Sequence, residues 1–138
     1  MYEPGVVRVV VYCDGQECGA DEIATAGEAK CILAHADRST VPADASDISY
    51  VDISITDENG RINPETNTAV SIHVEGPGTV QGFGSADPES EENYYDSVAC
   101  AFEGRLRAAI RSNGNKGEIL VTLSADGMED TQVRILSE

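Results

Sequence analysis

Nine consecutive residues, Ile48 to Thr56 (ISYVDISIT), place Ser49, Val51, Ile53 and Ile55 on one side and Ile48, Tyr50, Asp52, Ser54 and Thr56 on the other. A period of two is the signature of a strand, and the mostly aliphatic set reads as its core face. The pattern recurs. Leu106, Ala108 and Ile110 alternate with Arg105, Arg107, Ala109 and Arg111, and Ile119, Val121 and Leu123 mark one side of Glu118 to Ala125. Turn residues separate such runs at Asp14-Gly15, Asp57 to Gly60, Gly76-Pro77-Gly78, Glu103-Gly104, Asn113 to Gly117 and Asp126-Gly127. No segment keeps a 3.6-residue period over the length of a helix. About seven or eight short strands at this spacing predict an all-β chain folded as a sandwich.

The remaining segments fit that frame. Val6 to Cys13 (VVRVVVYC) is β-branched and nearly continuous, Asp14-Gly15 suits a two-residue hairpin turn, and Glu17 to Thr25 is the partner strand. Two strands alone are marginal in water, so this hairpin either leans on another sheet or lacks its original neighbours. Gly27 is a natural break. Ala29 to Ala36 reads as a short strand, Asp37 to Asp47 as an irregular edge crossing around Pro42, Arg61 to Thr68 as a polar loop, and Ala69 to Val74 as a strand that the Gly76-Pro77-Gly78 turn ends. Thr131 to Leu136 closes the chain. The longest connection leaves the Thr79 to Phe83 strand through Gly82 and Gly84, runs through an acidic loop and returns as Ser97 to Phe102. Its length and chemistry exceed what a connection needs, which makes it the first place to look for local function.

Twenty-five acidic residues against nine basic ones give a net charge of -16. Such a surface repels phosphate backbones and anionic lipid, so neither nucleic acid nor membrane is expected as a partner. No apolar run approaches the roughly 18 to 20 residues of a membrane helix, and no basic leader follows Met1, so a soluble chain without a signal peptide is expected. If Asp14-Gly15 is a two-residue turn, Cys13 faces Gln16 and Cys18 faces Val11, a diagonal relation that argues against a bridge. Cys31 and Cys100 are isolated from each other and from His35 and His73, so no metal site is assigned. Unpaired thiols and the missing leader together tip the compartment toward the cytoplasm.

Candidate chemistry is sparse. His35 and His73 sit inside strand patterns with no local partner to orient them, and no Gly-x-Ser-x-Gly elbow is present. Gly82-Phe83-Gly84 lacks both the further glycine and the helix of a phosphate loop. Carboxylates are too numerous for any one pair to mark a glycosidase dyad. No catalytic residue and no cofactor is therefore assigned. Asp87 to Asn93 offers oxygen donors but lacks the order of a calcium loop, and a solvated loop is the plainer reading. Tyr94-Tyr95 is the more informative pair, because an exposed aromatic ring can stack on the C–H face of a sugar while its hydroxyl stays wet. Strand alternation would send one of the two inward. Tyr94, Tyr95 and Asp87 are the candidate carbohydrate contacts.

Several stretches taken in order carry a family resemblance. They are Tyr12 to Glu17, Thr25 to Gly27, Ala36 to Arg38, Ile48 to Val51, Asp57 to Gly60, Val74 to Gly78, the Gly82, Gly84 and Asp87-Pro88 cluster, Ala101-Phe102 with Gly104, and Gly117 to Thr122. Over nearly its whole length the chain resembles the C-terminal region of bacterial family 2 glycoside hydrolases of the β-galactosidase type. That resemblance implies immunoglobulin-like sandwiches lying after a catalytic barrel. Residues 1–27 then correspond to the terminal hairpin of a preceding accessory β domain, and residues 28–138 to a complete immunoglobulin-like domain. The family's catalytic glutamates lie in the barrel, so the implied role is non-catalytic: structural support for a parent hydrolase, with its other domains and a glycan as partners. The family pattern carries a histidine where Glu91 stands and an arginine where Ala99 stands, so contacts at those positions do not transfer. The domain is also similar to bacterial immunoglobulin-like repeats of adhesins, which makes a cell-surface spacer module the alternative.

Overall fold

Eleven strands run through residues 3–138, the residues described by the computed structural model. The first two, β1 (Val6–Cys13) and β2 (Gln16–Ala24), pair only with each other. The others are β3 (Cys31–Ala36), β4 (Thr40–Val41), β5 (Ile48–Thr56), β6 (Ala69–Glu75), β7 (Gly78–Gly84), β8 (Val98–Cys100), β9 (Arg105–Ser112), β10 (Gly117–Ser124) and β11 (Thr131–Ser137). They form two sheets, ordered β4-β11-β10-β6-β8 and β3-β5-β9-β7, packed face to face. All pairings are antiparallel except β4 with β11.

The core follows from the alternation. Val51, Ile53 and Ile55 of β5 and Leu106, Ala108 and Ile110 of β9 point inward from one sheet. Val70 and Ile72 of β6, Ile119, Val121 and Leu123 of β10, and Val133 and Ile135 of β11 meet them from the other. Phe83 of β7 is the largest fully buried side chain, 1% exposed. Ser49, also on the inward face, satisfies its hydroxyl by donating to the Arg38 carbonyl at 2.8 Å. Both β5 boundaries agree with the sequence reading. The all-β sandwich expectation holds.

Two expectations need correction. Residues 37–47 are not wholly irregular: Thr40–Val41 pairs in parallel with the end of β11, and Val41 is buried in the core. A two-residue strand has no period to detect. The second correction concerns the cysteines, because Cys13 and Cys18 form a disulfide with their Cα atoms 6.0 Å apart. The register shifts so that Val11 faces Gly19 while Tyr12 faces Glu17, leaving Cys18 as an extra residue in β2. This bulge re-aims Cys18 toward Cys13, whereas the expected diagonal assumed an unbroken ladder. Cys31 and Cys100 are free thiols, as expected. The bridge removes the ground for a reducing, cytoplasmic setting.

The hairpin's Val7, Val9 and Val11 share one face and are all exposed. Its exit is nevertheless fixed. The Asp57 carboxylate, 3% exposed as a residue, accepts the backbone N–H groups of Gly27, Asn59 and Arg61, each at 2.9 Å. The Asn63 side chain donates to the Gly27 carbonyl at 2.8 Å from the other side. These bonds, the one from Gly27 foremost, hold the Asp57 carboxyl below the usual carboxylate range. The stabilisation is thus full above the ordinary carboxylate pKa and disappears as pH falls through the depressed one.

Because Phe83 fills the space between the sheets at β7, Phe83→Ala is expected to cost roughly 3–5 kcal/mol of folding free energy. Urea denaturation checks this, and a loss below about 1 kcal/mol would show that the core can close around the gap.

Candidate functional site

The outward face of the β3-β5-β9-β7 sheet holds a groove of about 710 Å³. Its construction follows the strand register. Tyr50 of β5 lies opposite Ala109 of β9, which lies opposite Gly82 of β7. In the neighbouring row Asp52, Arg107 and Gly84 stand in the same order. Three small residues, Ala109, Gly82 and Gly84, therefore leave the middle of the sheet low between larger side chains. The size lies within the range typical of small-molecule sites.

The walls are aromatic. Tyr50 rises from β5 and is 41% exposed. Tyr94 comes from the acidic loop. Its carbonyl accepts the Phe83 N–H at 2.7 Å, and its ring lies across Gly84, where an added Cβ would sit 2.5 Å from Tyr94 Cδ1. Glycine at position 84 is thus required by the close approach of the ring. Phe102 closes one end. It is presented by the turn to Arg105, in which Glu103 (φ 50°) and Gly104 (φ 70°) are both left-handed and a side chain at 104 would collide with the Asn63 carbonyl.

One charged pair stands among these rings. Arg107 Nε donates to Asp52 Oδ1 at 2.6 Å, and the guanidinium carbon lies 5.6 Å from the centre of the Tyr50 ring. The hydrogen bond and charge of Asp52 push the Arg107 pKa up, so the fork stays charged. Among the described residues neither Nη atom donates to another protein group, and neither does Asp52 Oδ2 accept from one. Glu103 and Arg105 line the groove with opposite signs. Its four charged residues thus balance, on a chain whose net charge is -16.

Of the three residues singled out from sequence, the groove includes Tyr94 alone. Tyr95, 83% exposed, and Asp87 lie outside its lining. Asp87 instead accepts the Glu89 N–H at 2.9 Å, a local turn bond. Neither tyrosine is buried in the core, because residues 93–96 form a turn and strand alternation does not apply there. Tyr50, Asp52, Phe102 and Arg107 escaped the sequence reading because charged and aromatic residues on an outward strand face look like ordinary solvated surface. The detectable signal was the pair of glycines at 82 and 84. His35 and His73 are exposed on their strands. Among the described residues no group of three or more histidine, cysteine or acidic side chains is arranged to hold a metal ion. Cys100 sits beside Glu92, whose hydrogen bond and charge, together with partial burial, push its thiol pKa up.

Comparison with known proteins shows what the chain as a whole is similar to. Residues 32–134 match the glycoside hydrolase family 2 C-terminal domain 5. The chain is 31% identical over 137 residues to the β-galactosidase BoGH2A of Bacteroides ovatus, covering 99% of this chain and 16% of that protein. A solved family 2 glycosyl hydrolase from Bacteroides cellulosilyticus superposes with a TM-score of 0.91 at 28% identity, over 99% of this chain and 18% of the other. The D00-D0 domain of intimin superposes with a TM-score of 0.59 at 12% identity, over 99% of this chain and 66% of that one, a likeness of fold.

Gly84→Ala is expected to displace the Tyr94 ring and to destabilise the chain by about 1–3 kcal/mol, the usual range for a forced insertion. Nuclear Overhauser contacts between the Tyr94 ring and β7 report the displacement, and unchanged contacts in the variant would contradict the packing described.

Proposed function

Because the chain belongs to the glycoside hydrolase family 2 C-terminal domain 5 family, we propose that it is a non-catalytic accessory segment of a longer hydrolase of the β-galactosidase type. The observation that carries this reading is the extent of the match: nearly all of this chain aligns with under a fifth of the Bacteroides ovatus and Bacteroides cellulosilyticus relatives. The segment supports the architecture of the parent and meets its glycan from outside the catalytic unit. Residues 1–27 are the terminal hairpin of a preceding accessory domain and residues 28–138 the complete sandwich. The exposed valine face of β1 supports this division, since an apolar face on an isolated hairpin calls for a covering layer. The adhesin or spacer alternative rests on a likeness of fold, which does not carry function.

The role is tested on two samples. The 138-residue chain, given nitrophenyl β-galactoside, is expected to show no turnover above a buffer blank. The parent enzyme shortened by this segment is expected to melt at a lower temperature than the intact parent. Turnover by the isolated chain, or a shortened parent matching the intact one in both melting and activity, would overturn the role.

A further inference from the structure

We propose that the groove on the outward face of the β3-β5-β9-β7 sheet is a binding site for neutral pyranose glycans, with Tyr50 and Tyr94 as stacking platforms and the Asp52–Arg107 pair as the hydrogen-bonding group between them. This deepens the accessory role and rests on it only for the identity of the parent's glycan. The groove's residues carry it independently. A pyranose ring offers an apolar C–H face and an equatorial rim of hydroxyls, so its binding site needs exposed rings and a rigid, charged donor–acceptor pair in close alternation.

The groove meets each requirement. Tyr50 and Tyr94 stand on opposite sides of the low strip formed by Ala109, Gly82 and Gly84. Phe102 extends the aromatic wall at one end. Arg107 is held from one side by Asp52 and lies against the Tyr50 ring, and among the described residues its outer N–H groups and one carboxylate oxygen have no protein partner. A vicinal diol presents one acceptor and one donor, which matches that pair. A neutral ligand is favoured over an acidic one. The groove's own charges cancel, and the chain as a whole carries a net charge of -16, which repels anions.

The test is a ¹⁵N NMR titration of the 138-residue chain with neutral xylo-, cello- and galacto-oligosaccharides and, separately, with oligogalacturonate. Saturable shifts are expected with a neutral oligosaccharide, confined to residues 50–52, 82–84, 94 and 107–109. Tyr50→Ala, which removes an exposed ring, should weaken binding about tenfold. Arg107→Lys keeps the charge and loses the planar fork, so it should weaken binding as well. His73→Ala, on an exposed position of the other sheet, should leave it unchanged. The native dispersion of each spectrum shows that the variant is folded. The site is overturned if no neutral oligosaccharide gives saturable shifts, if the shifts map elsewhere, if a folded Tyr50→Ala variant binds as the wild type does, or if only the acidic ligand binds. The structural-support part of the accessory role survives all of these outcomes. Turnover by the isolated chain would defeat that role and leave the groove standing.

Discussion

The contact between the two sheets is the constraint from which the rest of the structure follows. Each strand of the sandwich has one apolar face, and only a second layer can remove that face from water. Val51, Ile53 and Ile55 on β5 meet Ile119, Val121 and Leu123 on β10 across this contact, with Phe83 filling the β7 end. Strand geometry then fixes what is left outside. Once the odd-numbered positions of β5 face inward, Tyr50 and Asp52 must face outward, beside the Arg107 that the same rule expels from β9. The groove is thus a by-product of core packing, given its depth by small residues at positions 82, 84 and 109.

A second constraint acts where the hairpin meets the sandwich. The hairpin adds no side chain to the main core cluster, yet its exit is held at Gly27 from both sides, by Asp57 and by Asn63. A carboxylate accepting three backbone N–H groups is a strong local fastener. It orients the β1–β2 ribbon without contributing to the core.

Much of this was legible in the sequence, for a definite reason. Ile48–Thr56 announces itself because a half-buried strand writes its burial directly into residue order, and β9 and β10 do likewise. Thr40–Val41 does not, since two residues joined to a distant strand carry no period. The Cys13–Cys18 bridge was missed because a bulge changes facing without changing composition. The candidate site was legible only in part. Tyr94 stood out in its loop, but its partner surface is an outward strand face whose residues come from three segments, and only the fold brings them together. Tyr95 and Asp87 shared Tyr94's neighbourhood in sequence without sharing its place in space.

The sandwich is expected to behave as one cooperative body, with the hairpin an appendage fastened to it at Gly27. Native-state hydrogen exchange tests this directly, because it assigns an opening free energy to each amide. The inner strands β5, β9 and β10 should exchange with one common value, equal to that of global unfolding by denaturant. The amides bonded between β1 and β2 should open at a distinctly lower value. A hairpin sharing the global value, or inner strands splitting into separately opening groups, would contradict the account.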